Sequence, residues 1–394
     1  MLLDFVKLSW IFTLLINTYF SIPIHEGFPD DAQQISSFSE LYHSTVDTYS
    51  NKHFLIPSDR HTIDTSKTFS LTAVGDLMMG TNFPSESYLP PDSGHALWAE
   101  AGPILRSSQV TFGNLEGVIL SKGGEMKECQ NPKNCYLFRT PDDLSFHFKN
   151  NGFNLLSTAN NHANDFGETG RQNTQKVLDS LGIGHAGSIE KAYHLLYLEG
   201  LTIGFAAFAP NKGTQLIAEI DEALRLVKIL DSLSDVIVIS FHGGAEGAQH
   251  QHVTRETEFY YGEDRGNVYD FSHSLIDAGA DVLIGHGPHV VRGIEVYKDR
   301  IIAYSLGNFL TYGRFNLKGL NALSPLLDLS IGYDGRFISG KIHSYLQTYD
   351  VGPRIDEENK AALQIRKLSE IDFPKNPISI DDFGRINYLN KKIE

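Results

Sequence analysis

The chain has 394 residues, 41% of them hydrophobic and 21% charged, with a formal net charge of −15 and a pI of ≈ 5.5. That length accommodates one large α/β domain or two medium ones around a sizeable core. The acidic balance excludes non-specific nucleic-acid binding, which relies on neutralising phosphates with Lys and Arg, and it opposes passive adhesion to anionic membranes.

Residues 1–25 contain the apolar, charge-free run SWIFTLLINTYFSIPI behind Lys7. It is short for a spanning helix, which needs about 20 residues, and no A-x-A cleavage site follows it. A signal peptide or a membrane anchor is expected, placing the protein outside the cytoplasm in a periplasmic or other extracytoplasmic setting. Residues 26–67 are polar and aperiodic and read as a linker. A folded domain is expected over residues 68–350. There the short apolar runs FSLTAVG, QVTFGNLEG, FNLLSTAN, LTIGFAAFA, DVIVISFHGG, DVLIGHG and IIAYSLGNF alternate with helical patterns at 141–150, 170–181, 216–233 and 267–278. Continuous Val/Ile/Leu/Phe strands imply sheets covered on both faces, hence a layered α/β fold. Later segments with DR and DG turns read as antiparallel hairpins, and residues 351–394 as a C-terminal helix and tail.

Cys129 and Cys135 flank the turn-rich loop QNPKN. Two thiols are too few for a common Cys-type zinc site. A local disulfide there would contribute about 2 kcal/mol and would persist only in an oxidising compartment; two unpaired buried cysteines are the alternative.

The chemistry gathers where strands end. Asp76 follows LTAVG, Glu116 follows VTFGN through Asn114, and Asn160, Asn161 and His162 follow LLSTA. His242 follows VIVISF, and His286 and His289 follow VLIG. In open α/β sheets ligands bind beyond the carboxyl ends of strands, so these ends are expected to converge on one crevice. Carboxylates, an amide oxygen and imidazoles without thiolate suit one or two divalent ions, Mn, Fe or Zn. The H-x-H pair His250 and His252 reads as a solvated loop or a further metal position, and residues 255–267 as a rim or lid. Neither a G-x-S-x-G elbow nor a Walker P-loop is present.

The motifs AVGDLMMG, FGNLEGVI, STANNHANDFGETG, SFHGGAE, DAGADVLIGHGPHVVRGIEVY and IIAYSLGNF, in this order, resemble the CapA family of poly-γ-glutamate capsule synthesis proteins. That family falls within the calcineurin-like metallophosphoesterases. The resemblance implies a metallophosphoesterase-like β-sandwich flanked by helices, α/β/β/α. It implies Asp76 as first-site carboxylate, Glu116 as bridging carboxylate, and Asn161, His242 and His286 as second-site ligands, with His289 on the first. His162 occupies the place of the proton-donating histidine, and Asp165 is near enough to orient it. Arg292, Tyr304 and Asn308 are candidates for substrate contact. Two departures stand out: Met78 replaces the histidine of the D-x-H motif, and GHGPH carries one residue more than G-H-x-H. Of its two histidines, His289 is the one expected to close the site.

The function implied is a cell-envelope, metal-dependent hydrolase or transferase in capsule polymer synthesis or processing, acting on a phosphoester or amide bond. Its partners would be an anionic polymer or its precursor and other capsule-synthesis membrane proteins. The alternative is a non-catalytic assembly or anchoring component of a polymer export machine that keeps the scaffold.

Overall fold

Strand β1 (Thr68–Met78) is joined in parallel by β2 (Val110–Leu115), β3 (Leu155–Ser157) and, after helix α1 (Gly167–Ser180), β4 (Gly184–Ala186). The computed structural model describes residues 64–128, 136–349 and 351–389, so the 1–25 leader, most of the 26–67 linker and both cysteines lie outside the described residues.

A second sheet follows. The hairpin β5 (Tyr193–Leu198) and β6 (Leu201–Phe208) leads through α2 (Ile220–Leu233) to β7 (Val236–His242). From there α3 (Val268–Asp277) leads to β8 (Val282–His286). Strands β6, β7 and β8 are parallel, and the hairpin β9 (Ile294–Tyr297) and β10 (Arg300–Ala303) completes the order β9-β10-β8-β7-β6-β5. The chain then returns to the first sheet. There β11 (Asn308–Thr311) lies parallel to the end of β1, and β12 (Leu323–Gly332) runs antiparallel along it. Strand β13 (Phe337–Thr348) pairs with β12, and β14 (Gly352–Ile355) pairs with β13. Helix α4 (Lys360–Asp372) follows, then the hairpin β15 (Ile378–Ile380) and β16 (Arg385–Tyr388), which attaches to β13.

Side-chain alternation explains the layering. In β7, Val236 and Val238 face the first sheet, where they meet Phe69, Leu71, Phe112 and Leu155. Ile237, Ile239 and Phe241 face the other way, onto Val227 and Leu230 of α2 and Phe271 and Leu275 of α3. Helix α2 buries Ala223, Leu226, Val227 and Leu230, an i, i+3, i+4, i+7 stripe. The outer face of the first sheet, with Val74, Leu77 and Leu156, packs on Trp98, Leu105, Phe148 and Leu178. Helix layers thus cover both sheets; the layered α/β fold expected from the strand pattern, and the α/β/β/α arrangement implied by the family resemblance, are observed.

The C-terminal stretch is more than a helix and tail. Ala361, Ala362, Ile365 and Leu368 of α4 belong to the inter-sheet core, and the hairpin after it extends the first sheet. Residues 141–150, expected as one helix, split into a short 3-10 turn at Asp142–Leu144 and a helix at Phe146–Asn150. Among the described residues no helix is long and apolar enough to cross a membrane.

Ile365 has no exposed surface, so Ile365→Ala should cost about 2–5 kcal/mol in denaturant unfolding. A loss below about 0.5 kcal/mol would show that α4 is not part of the core.

Candidate metal centre

The two sheets bring their strand ends to one edge. In the first, Asp76 stands in register with Asn114 on one side and Asn308 on the other. In the second, His286 stands beside His242. Gly75 makes the approach of β1 to β11 feasible: a Cβ there would lie 2.1 Å from the Gly307 carbonyl oxygen, the same oxygen that accepts the Asp76 N–H at 2.9 Å.

Asp76, Glu116 and His242 offer ligand atoms within 4.8 Å of one another, and all three are buried. Two more histidines reach the same carboxylate. His289 Nδ1 lies 2.8 Å from Asp76 Oδ2, and His286 Nδ1 lies 3.4 Å from Asp76 Oδ1. His242 Nδ1 lies 3.7 Å from Glu116 Oε2. Asn114 ties the carboxylates together: its Nδ2 donates to Asp76 Oδ1 at 2.8 Å and to Glu116 Oε2 at 2.6 Å. Asn160 braces Asn114 in turn, donating to its Oδ1 at 3.1 Å and to the Leu115 carbonyl at 2.7 Å. His289 sits at φ +55°, a left-handed conformation unusual for a side chain of this size. Its carbonyl is held by the amides of Asn308 and Asn321, at 3.3 and 3.1 Å.

The electrostatics follow from this crowding. Burial alone raises Asp76, but the imidazoles of His286 and His289 outweigh it and hold the carboxyl well below its usual range. Glu116 is pushed well above its usual range, first by burial and then by the Asp76 charge. Burial pulls His289 down, yet its hydrogen bond and charge interaction with Asp76 carry it to about 9. His242 is driven well below its ordinary value by burial and then by the Arg265 charge.

Unpartnered buried atoms show what the pocket accepts. Glu116 Oε1, Asn161 Oδ1, both ring nitrogens of His242 and of His286, and Asn308 Oδ1 have no hydrogen-bond partner. Buried polar atoms are normally paired, and leaving a Glu116 oxygen and the imidazole nitrogens of His242 and His286 unpaired in one pocket is costly. A divalent cation would satisfy them together, and carboxylate, amide oxygen and imidazole are the donors that hard-to-borderline ions prefer. The residues therefore fit a divalent metal.

Beside the cluster, His162 Nδ1 lies 2.7 Å from Asp165 Oδ2, and Asn160 Oδ1 accepts the His162 N–H at 3.0 Å. The fully buried Asp165 also accepts the Phe138 N–H at 2.7 Å and forms an ion pair with Lys127. Lys127 Nζ further donates to the Asn161 carbonyl at 3.2 Å. Burial lowers the His162 pKa, and Asp165 is the largest opposing influence. Phe138 packs against His162 with ring centroids 4.2 Å apart and the rings tilted by 39°.

Asp76, Glu116, His242, His286 and His289 thus share one pocket, and both histidines of GHGPH reach Asp76. His162 pairs with Asp165 as the spacing suggested. Arg292 and Tyr304, expected at the substrate, are elsewhere. Arg292 has no exposed surface, and its guanidinium forks onto Glu258 with two bonds of 2.7 Å. Tyr304 is equally buried, donates to Glu295 Oε2 at 2.9 Å and stacks on Phe373. Both are saturated by the core, so substrate contact is a correction for these two. Asn308 positions His289. Met78, standing where the D-x-H histidine would be, is buried, and its sulfur accepts the Gly80 N–H at 3.2 Å. His252 is bound to Asp372 at 2.7 Å rather than facing the cluster. Sequence reasoning gave no role to the bracing amides Asn114, Asn160 and Asn321 or to Lys127. The first two stood at strand ends; Asn321 lies in the short 3-10 helix Gly319–Ala322 and Lys127 in a loop, neither with a periodic signal.

The family described as "Bacterial capsule synthesis protein PGA_cap" matches residues 70–312, and the chain belongs to it. The chain is 29% identical over 257 residues to the PGA biosynthesis protein CapA of Bacillus subtilis (strain 168), covering 61% of this chain and 63% of that one. It is 26% identical over 261 residues to the capsule biosynthesis protein CapA of Bacillus anthracis, covering 61% and 59%. The chain therefore spans less than two thirds of the length of these relatives. Among solved structures, a putative 5'-nucleotidase from Staphylococcus aureus aligns with TM-score 0.40 and 14% identity, covering 77% of this chain and 58% of that one.

Protein stripped with chelator should gain melting temperature on addition of Mn²⁺ or Zn²⁺, because a ligand that binds only the native state stabilises it. Asp76→Asn and His242→Ala should lose most of that gain; an undiminished gain in both would place the cation elsewhere.

Proposed function

We propose that this member of the capsule synthesis family is a metal-dependent hydrolase or transferase of the cell envelope. Its substrate would be an anionic capsule polymer, such as poly-γ-glutamate, or a precursor. The observation that carries this reading is the concentration of unpartnered, buried ligand atoms at the joined strand ends, next to a histidine oriented by a buried aspartate. Asp76, Glu116, Asn161, His242, His286 and His289 would hold one or two divalent ions, with Mn, Fe and Zn the candidates. A cation there supplies Lewis-acid polarisation of a phosphoryl or carbonyl oxygen.

The chain's own residues supply the rest. Asn114 fixes the spacing of the two carboxylates, and Asn321 and Asn308 hold His289 by its backbone. Asp165 engages His162 at Nδ1, so Nε2 is the nitrogen that delivers a proton to a leaving oxygen or nitrogen. Lys127 pairs with Asp165 at the carboxylate oxygen away from the imidazole's bond and steadies the carboxylate in place. Phe138 walls one side of the imidazole and limits water there.

A second reading, a non-catalytic component of a polymer export machine, is favoured by one observation: Met78 takes the place of the D-x-H histidine and is committed to Gly80. Export or membrane anchoring by residues 1–25, and association with other capsule-synthesis membrane proteins, belong to both readings.

With phosphodiester and γ-glutamyl amide substrates and added Mn²⁺, Fe²⁺ or Zn²⁺, the full chain should turn over. His162→Ala should then lower kcat by about 10²–10⁴-fold at unchanged metal content. If His162→Ala and Glu116→Gln both support full polymer production at normal abundance in cells, the assembly reading replaces the catalytic one.

A further inference from the structure

We propose that Arg314 is the group that anchors an anionic part of the substrate beside the metal cluster, taking a carboxylate or phosphate oxyanion in its guanidinium fork. This rests on the reading of the Asp76 cluster as a substrate site and names the chemistry it recognises.

Arg314 follows β11, the strand paired with the end of β1 that carries Asp76. The Tyr312 N–H bonds the Met78 carbonyl at 2.8 Å, which anchors the loop to that end. Gly313 then turns the backbone at φ +91°, a conformation open to glycine and strained for larger residues. Two side chains are aimed in succession. Phe315 packs against His289 with centroids 5.3 Å apart and stacks on Phe138 at 4.9 Å. Arg314 lies over Tyr136 at 4.9 Å and over Tyr88 at 5.1 Å. The pairs run side by side, Phe315 on Phe138 and Arg314 on Tyr136. Phe138 is 3% exposed and Tyr136 45%, so Arg314 stands one step outward from the aromatic wall between His162 and His289.

What sets Arg314 apart is its free donors. Among the described residues every other arginine gives its guanidinium to a protein oxygen. Arg292, Arg265, Arg171, Arg225, Arg300, Arg336, Arg354, Arg366 and Arg385 pair with carboxylates. Arg106, Arg139 and Arg255 bond amide or carbonyl oxygens. The Arg314 guanidinium has no such partner among the described residues. In a chain of net charge −15, a cation kept clear of acids and steadied between two rings is poised for an external one. The rings sit against the guanidinium by cation–π contact, and its N–H fork, partly exposed and without a protein oxygen among the described residues, has the geometry that matches carboxylate and phosphate oxygens.

The test is binding to the full chain, read by calorimetry with three probes: a short γ-glutamate oligomer, a short glycerol-phosphate oligomer and an uncharged γ-glutamine oligomer. At least one anionic probe should bind. Arg314→Gln should weaken that binding about tenfold or more while metal content and melting temperature stay unchanged. Arg314→Lys should recover only part of it, since lysine keeps the charge and loses the fork. The anionic probe that responds tells carboxylate from phosphate. Equal affinity in Arg314→Gln, or no binding of either anionic probe by the unaltered chain, would overturn the proposal. Binding is read without turnover, so failure of the hydrolase reading gives a different result from failure of this one.

Discussion

Two carboxylates are buried within reach of each other, and this constraint organises everything around them. Asp76 and Glu116 cannot both carry charge in a dry pocket without compensation. The structure supplies it through one amide, Asn114, that donates to both, and through three imidazoles, two from strands of the other sheet and His289 from the turn that follows. Asp76 gains most from the imidazoles and stays ionised, while Glu116 bears the penalty. Such an arrangement is poor as a stabilising core, since buried ionic groups seldom repay their desolvation. It makes sense as a receptor for positive charge.

The fold exists to hold that pocket at the seam between two sheets. Asp76 and Glu116 come from the first sheet, and His242 and His286 from the second, so the inter-sheet core sets their separation. Side-chain packing between Phe69, Leu71 and Phe112 on one side and Phe205, Val238 and Ile284 on the other therefore fixes ligand geometry. Helix α4 closes the same core. Glycines permit the backbone contacts at the seam: Gly75 lets the Leu306–Gly307 turn abut β1, and a Cβ at Gly285 would meet the Tyr304 carbonyl oxygen at 2.2 Å.

The strand-end residues were legible because their signal is local. A run such as DVIVISF or DVLIG announces a buried strand, and the polar residue that ends it announces a site. The layered architecture followed from the same runs. Arg292 and Tyr304 misled because a charged or phenolic residue near a motif looks the same in sequence whether it faces substrate or core. Their partners Glu258 and Glu295 lie at unrelated spacings. The C-terminal hairpin escaped notice because short strands such as ISI and RINY carry too few residues for a periodic signal. Arg314 was illegible for a similar reason. Its distinction, among the described residues, is a guanidinium with no protein oxygen on it, and that emerges only once the other described arginines have been placed.

Anomalous diffraction from crystals of the metal-loaded chain addresses the central claim most directly. The account predicts a peak within coordination distance of Asp76, Glu116 and His242, with any second peak shared through Glu116 and reaching Asn161 or His286. Crystals soaked to saturation that show no anomalous density among these side chains would contradict it.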